Sequence, residues 1–505
     1  MNELKKILNP KSIAVIGVSE DPSKIGSIIF NNIMSSGFGG TLHPVNPKHD
    51  FLYGHKSYKS IKDIETSVDM AVISIPSKFV KTSIQECVEK HVKIAVIISA
   101  GFSEISNEGS ELEKEILEIA KNSEMRILGP NCLGIIDTNK NYNATFAASN
   151  AVRGNVGFIS QSGALCTLLL DMSLEKNVGF SSFVSIGNKL DLSELDFLEY
   201  WAQDPDTQVL SAYLEDVENG DQFYKLVAKI DKPFVLLTPG KTKEAQDAIS
   251  SHTGSLASPY KVIETALEQS GAIRVDDTEE LFNTIMALSW SKPLLGNRLA
   301  IVTNAGGPGV LATDAFIENG FEITKLGHVT NQRLKAFLPP EASIANPIDL
   351  LGTAISDHYE KAIQAATHDT FTDGVVVIVT PQLITEIEET AKRIIELSKD
   401  SEKPIWAIFL GGRYASGGLR RLYDNKVPAF NFINDAARTL KNIYNYSKHK
   451  PSKTQIEIQQ PKYTKEINDL MGSKEKAIPT KLTEKILGEF SIDIPKQAVV
   501  KDTAD

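Results

Sequence analysis

The sequence predicts an α/β protein of three consecutive Rossmann- or flavodoxin-like domains, each built on a parallel sheet. Three observations predict it. Short β-branched runs alternate with segments of helical period as far as about residue 450, the pattern of βα units whose strands lie parallel. Several of those runs end on a turn of small residues that opens a helix. A chain of 505 residues is also too long for one core, with about three to four domains as a soft prior.

The first series spans about 1–140. The run 12–18, SIAVIGV, reads as a strand, and 25–35 carries apolar residues at helical spacing. Further strands are expected at 42–45, 70–75, 94–99 and 126–128, with helices at 80–90 and 111–121. Ligands of such sheets bind at the carboxyl ends of the strands. That edge carries 17–20, 46–48, 75–77, 99–101 and 129–131. The first turn, GVSEDPSKIG, sets Gly17 and Gly26 too far apart for the GxGxxG fingerprint, so it suits a single nucleotide-like group better than a dinucleotide. Lys48 follows a strand in LHPVNPK and could pair with a phosphate, or be a solvated loop lysine.

The second series spans 145–290. A strand at 156–159 runs into Ser160-Gln161-Ser162-Gly163, which opens a helix at 164–173. Small residues at a helix start leave N–H groups free at the positive end of the dipole, which is an anion site; an ordinary N-cap is the bland alternative. A strand at 182–186 closes on Gly187-Asn188-Lys189. Another at 209–215 ends on Glu215, catalytic carboxylate or solvated strand-end acid. A strand at 234–237 precedes the stretch 247–259, DAISSHTGSLASP. There His252 sits among small hydroxylated residues, which suits a loop holding one imidazole in the open. Such an imidazole can attack phosphorus near neutral pH.

The third series spans 297–450. A strand at 299–303, the turn Asn304-Ala305-Gly306-Gly307-Pro308-Gly309 and a helix at 310–319 repeat the design of 156–173. Two such helix starts could face one ligand. Strands at 374–380 and 405–410 continue the pattern. The segment 451–479 is polar and lacks a durable period, so it reads as a linker. A small amphipathic piece follows at 482–490.

The formal net charge of −11 and the absence of a long Lys/Arg block argue against nucleic acid as the main partner. Cys87, Cys132 and Cys166 are widely spaced, with no CxxC; this suggests a reducing compartment and no zinc site. No signal-peptide pattern or membrane-length apolar run appears. The expected location is the cytoplasm.

Taken together, these stretches resemble the NDP-forming acyl-CoA synthetases, which include the ADP-forming acetyl-CoA synthetases and, more distantly, succinyl-CoA synthetase. The resemblance rests on SIAVIGVSEDPSKIG, HPVNPK, ISAGFSE, GPNCLGI, GFISQSGAL, SIGNKLDLSELDFLEY, SSHTGSLAS and IVTNAGGPGVLATDA. It implies a CoA-binding first domain, with Gly17, Ser19, Lys48, Ser99, Ala100 and Gly101 around the CoA. It implies that His252 is a phosphohistidine and that Glu215 orients its imidazole. Ser162 and Gly163 would hold phosphate, opposed by Asn304, Gly306 and Gly307, while Asn131 and Asn188 line the acyl and phosphate pocket. No metal ligand is expected in this chain.

The tail LTEKILGEFSIDIPK resembles the opening of the family's ATP-grasp domain, so 480–505 is expected to be a stub of it. ATP or ADP and Mg²⁺ would then be held by a further domain or subunit, with truncation favoured over a separate chain. The implied reaction is acyl-CoA + ADP + Pi ⇌ carboxylate + CoA + ATP, on a short-chain or hydroxy acid, by a homo-oligomer. The alternative is a non-catalytic acyl-CoA-sensing scaffold of a protein acetyltransferase. The retained histidine and the lack of an acetyltransferase-like segment argue against it.

Overall fold

The structure is a computed structural model and describes residues 3–217, 219–253, 260–448 and 480–489. The chain divides into two compact units, 1–450 and 451–505. Within the second, the described residues form the helix Thr480–Glu489.

The first unit contains three large sheets in the expected succession, besides a two-stranded antiparallel one of Phe51–Leu52 and His55–Lys56. The first has the strand order Thr41–Val45, Ser12–Ile16, Met70–Ile73, Ile94–Ile97 and Arg126–Leu128, with every pairing parallel. These strands are apolar on both faces, as a doubly covered parallel sheet requires. Ala14, Ala71, Ile73, Ala95 and Ile97 pack under Val80 and Ile84 of the helix Ser77–Glu89 and Ile116 of the helix Asn107–Lys121. Ile13, Val15, Val72 and Val96 face the other way, into a core shared with Phe197 and Trp201 of the helix Glu194–Gln203.

The second sheet runs Ile273–Val275, Phe234–Leu237, Val209–Tyr213, Arg153–Ser160, Phe180–Ser185, Gly134–Asp137 and Tyr142–Thr145. Its last two strands were not expected. Gly134–Asp137 pairs antiparallel with Phe180–Ser185, and Tyr142–Thr145 antiparallel with Gly134–Asp137. A short turn joins two strands there, which only an antiparallel pair allows. Residues 134–137 thus hydrogen-bond in the second sheet, although they fall within the 1–140 span read as the first domain.

The third sheet centres on Arg298–Thr303, Gly374–Val379 and Ile405–Phe409, all parallel. Its core is continuous with that of the second sheet, through Phe282 and Ile285 of the helix Thr278–Trp290 and Ala437 and Leu440 of the helix Ile433–Lys448. No described helix is long and apolar enough to cross a membrane.

Candidate active site

The carboxyl edge of the first sheet is shaped by one close approach. Gly17 ends the first strand at φ +106°, and a Cβ on Gly26 would lie 2.3 Å from the Gly17 carbonyl oxygen. The two glycines too far apart for a dinucleotide fingerprint therefore touch, and the helix Ile25–Ser35 starts directly against the turn. Ser27 Oγ then donates to Ser19 O at 2.8 Å and accepts from Ser19 N at 3.0 Å. Two strands along, Ser99 Oγ donates to Ile75 O at 2.5 Å and accepts from Ile75 N at 3.2 Å, pinning adjacent strand ends.

These ends form one wall of a cleft of about 940 Å³. The opposite wall comes from the second domain: Gln161, Ser162, Gly163, Ala164 and Thr167. Ser162 caps the helix Gly163–Lys176 by accepting from Leu165 N at 3.2 Å. Of the site residues expected from sequence, Gly17, Ser19, Ser99, Ala100, Asn131, Ser162 and Gly163 all line this space. Cys132 lines it too, and burial pushes its thiol up to about 12, so it stays a neutral, weakly nucleophilic thiol.

Three expected residues stand beside the cleft rather than lining it. Lys48 is exposed, and its N–H donates to Asn46 Oδ1 at 2.8 Å. The N–H of Gly101 is already engaged, donating to Glu104 Oε1 at 2.6 Å. Asn188 reaches across the domain boundary: its Nδ2 donates to Glu104 Oε2 and Glu113 Oε1, both at 2.8 Å, and its Oδ1 accepts from Asn131 Nδ2 at 3.3 Å. Burial opposes the charge of Glu104, but the Gly101 N–H and the Asn188 amide hold its carboxyl below the usual carboxylate range. Glu104 ties the first domain's 101–104 turn to the second domain, a link between residues 84 apart in sequence.

Behind the helix start lies Glu215. Its N–H donates to Gln161 Oε1 at 2.6 Å, and its Oε1 accepts from Tyr213 Oη at 3.4 Å. Burial, then the neighbouring Glu215 charge, pushes the Tyr213 hydroxyl up, so it remains a donor. One residue thus separates the expected carboxylate from the cleft wall.

The stretch around His252 departs from expectation. Residues to Thr253 form the helix Lys243–Thr253 and not an open loop. Lys243, Glu244, Ala245 and Gln246 are strong helix formers, and Thr242 Oγ1 accepts from Ala245 N at 3.2 Å at its start. His252 is placed in the last turn of that helix. Its side chain and residues 254–259 lie outside the described residues.

The expected opposing helix start, in the third domain, does not line the cleft. The helix Gly306–Glu318 begins at the end of the strand Arg298–Thr303. Gly307 has open space where a Cβ would stand, and a Cβ on Gly306 would meet Asp349 Oδ2 at 3.2 Å. The amide of Asn304 is buried and occupied. It donates to Thr380 O at 3.0 Å and Thr385 Oγ1 at 3.1 Å, and accepts from Thr380 N at 2.9 Å and Thr380 Oγ1 at 2.8 Å. Asn304 thereby braces the turn that opens this helix. Among the described residues, no group of three or more His, Cys, Asp or Glu could hold a metal ion.

Sequence reasoning named neither Gln161 nor Glu104 as a site residue, nor did it single out Lys189. Gln161 was visible inside GFISQSGAL, directly before Ser162 and Gly163, the two residues already marked as an anion site.

Comparison with known proteins places these features. Residues 11–138 match a CoA binding domain, 153–288 a succinyl-CoA ligase like flavodoxin domain, and 299–450 a ligase-CoA domain. The chain is 39% identical over 441 residues to the α subunit of the ADP-forming acetate–CoA ligase II of Pyrococcus furiosus, spanning 86% of this chain and 96% of that subunit. It is 34% identical over 510 residues to the ADP-forming 4-hydroxybutyrate–CoA ligase of Nitrosopumilus maritimus, spanning 99% of this chain and 73% of that one. The dinucleotide-forming acetyl-coenzyme A synthetase 1 of Ca. Korarchaeum cryptofilum, solved with phosphate and ADP, matches with a TM-score of 0.84 at 38% identity, covering 89% of this chain and 97% of that chain.

Proposed function

The chain belongs to the NDP-forming acyl-CoA synthetase family, and from that premise we propose how its residues divide the work of an ADP-forming acid–CoA ligase. The overall reaction is acyl-CoA + ADP + Pi ⇌ carboxylate + CoA + ATP. The observation that carries the assignment is the cleft joining the first sheet's carboxyl edge to the start of the helix Gly163–Lys176. It sets a nucleotide-type binding edge across from an anion-holding turn. A thioester and an inorganic phosphate can then meet in one space.

The Gly17–Ser19 turn and Ser99-Ala100 receive CoA, with Lys48 at the same edge for its phosphates. Gly26 has no Cβ and lets the start of its helix reach the turn. Phosphate sits at the helix start on the N–H of Gly163 and beside Ser162, whose own N–H donates to Ser160 Oγ at 3.0 Å; a helix N-terminus stabilises an anion by roughly 0.3–2 kcal/mol. Its oxygen attacks the thioester carbon; the C–S bond breaks, CoA leaves as the thiol, and an acyl phosphate remains. A ring nitrogen of His252 then attacks phosphorus. The P–O bond to the acyl group breaks and the carboxylate departs. Glu215 holds the other ring nitrogen in the required tautomer and stabilises the charged ring. Gly306 and Gly307, at a helix start outside this cleft, supply N–H donors to the phosphoryl group once His252 carries it.

The acid is short, or a short hydroxy acid, as for the acetate and 4-hydroxybutyrate ligases it resembles. ADP, ATP and Mg²⁺ belong to an ATP-grasp domain or subunit that works with this chain. The acetyltransferase scaffold is disfavoured, since such relatives are ligases. The test is direct. The 505-residue chain, given acetyl-CoA and [³²P]phosphate, takes up acid-labile, base-stable label and releases CoA. It forms ATP from ADP only when a nucleotide-binding partner chain is added. A chain that takes no label, or one that makes ATP alone, contradicts the assignment.

A further inference from the structure

The turn after the strand Phe180–Ser185 buries a cation. The side chain of Lys189 is 3% exposed, and its backbone is left-handed at φ 55°. An ammonium has three donors, and here three acceptors meet it. They are Asp216 Oδ1 at 2.8 Å, Asp216 O at 3.2 Å and Glu194 Oε2 at 3.4 Å. Asp216 Oδ1 is shared, since it also accepts from Gln161 Nε2 at 2.5 Å. The other end of that amide, Gln161 Oε1, accepts from the N–H of Glu215 at 2.6 Å and of Asp216 at 3.2 Å.

The chemistry fixes the direction of this chain. An ionised carboxylate only accepts, so the Gln161 NH₂ must face Asp216 and its oxygen must face the two N–H groups. The Asp216 carboxylate is held between the Lys189 ammonium and the Gln161 amide, so removing the cation removes one of the two groups that fix its place. Lys189 therefore sets Asp216, Asp216 sets the Gln161 amide, and that amide sets the backbone from which the Glu215 carboxylate projects. Gln161 is also the residue before Ser162 and Gly163 on the cleft wall.

We propose that Lys189 is a positioning residue for phosphoryl transfer: through Asp216 and Gln161 it holds Glu215 in register with the phosphate-binding turn. This rests on the reading of His252 and Glu215 given above. Lys189 itself is not among the residues that line the cleft.

A brace that merely holds three loops together would also weaken the protein when removed, so the test must couple Lys189 to Glu215. Labelling from acetyl-CoA and [³²P]phosphate is compared for the full chain, Lys189→Met, Glu215→Gln and the double variant, with half-saturating concentrations measured for both substrates. Glu215→Gln lowers the saturated labelling rate by about 100-fold, the scale of lost acid–base assistance. Lys189→Met lowers it by about 10-fold or more, with half-saturation moved less than about threefold. In the double variant the losses do not multiply, because both act through one carboxylate.

Losses that multiply, or Lys189→Met labelling at the parent rate, overturn the inference. Should Lys189→Met fail to fold, Asp216→Asn carries the same comparison with the same opposing outcomes, since it removes the shared acceptor's charge while keeping its shape. An unsubstituted chain that takes no label overturns the reading of His252, and this inference with it.

Discussion

At the scale of single residues, the site depends on groups whose partners are already arranged. Glu215 has its N–H tied to Gln161 and its carboxylate met by a hydroxyl that burial keeps protonated. Groups fixed in this way need little reorganisation during a reaction, which is where preorganised polar groups gain over water. His252→Ala is expected to retain no ³²P after incubation with acetyl-CoA and labelled phosphate, while CoA affinity by titration calorimetry is unchanged. Label on that variant would remove the phosphohistidine from the mechanism. Asn304 illustrates the converse. Its residue type suggested a ligand, but its amide is fully spent on Thr380 and Thr385. Composition gives the type of a side chain; only the neighbours show whether its hydrogen bonds are free.

At the scale of elements, the same device recurs: a strand, a small-residue turn and a helix whose first N–H groups face outward. The helix Ile25–Ser35 uses it most tightly, since any Cβ on Gly26 would overlap the Gly17 carbonyl. Gly26→Ala must push helix and turn apart, and overpacking of this kind costs about 1–3 kcal/mol. The expected outcome is a lower urea midpoint together with weakened CoA binding. Stability and CoA affinity both at parent values would show that the turn is not held by this contact. The turn was legible in GVSEDPSKIG as a strand-to-helix junction. The contact between its two glycines was not, because it depends on the angle at which the helix leaves the sheet. The helix Lys243–Thr253 shows the opposite bias. Serines near His252 suggested a loop, yet the helix begun at Lys243 runs through Ser250 and Ser251 to Thr253, because each added residue gains a bond once the nucleus exists.

At the scale of the whole molecule, the three sheets share continuous cores and charged pairs that fix their edges. Arg298 grips Asp373 with two parallel bonds, Nη2 to Oδ1 at 2.6 Å and Nε to Oδ2 at 2.9 Å. Burial opposes the Asp373 charge, but Arg298 holds its carboxyl below the usual carboxylate range; Lys93 does the same for Asp69. A carboxyl depressed in the folded state contributes stability that is present above its unfolded value, about 3.9, and is lost as pH falls through the folded value. The urea midpoint is therefore expected to fall below about pH 4, and Asp373→Asn to show a shallower fall and a lower midpoint at pH 7. An unchanged acid slope in that variant would exclude the pair as a source of the pH dependence.

What the sequence determined by itself was the succession of strands and helices, the turns that open helices, and hence which backbone N–H groups could hold anions. Those features come from short-range rules of period, propensity and capping that act over a few residues. What the tertiary structure alone decided was the company each side chain keeps. Strand order brings the end of Ser12–Ile16 beside those of Met70–Ile73 and Thr41–Val45, and packing of the second sheet against the first sets Ser162 across from Gly17. Lys189 meets Asp216, 27 residues on, and Asn188 meets Glu104, 84 residues back. Contacts at such separations follow from how sheets stack and which loops share an edge, and no local pattern records that.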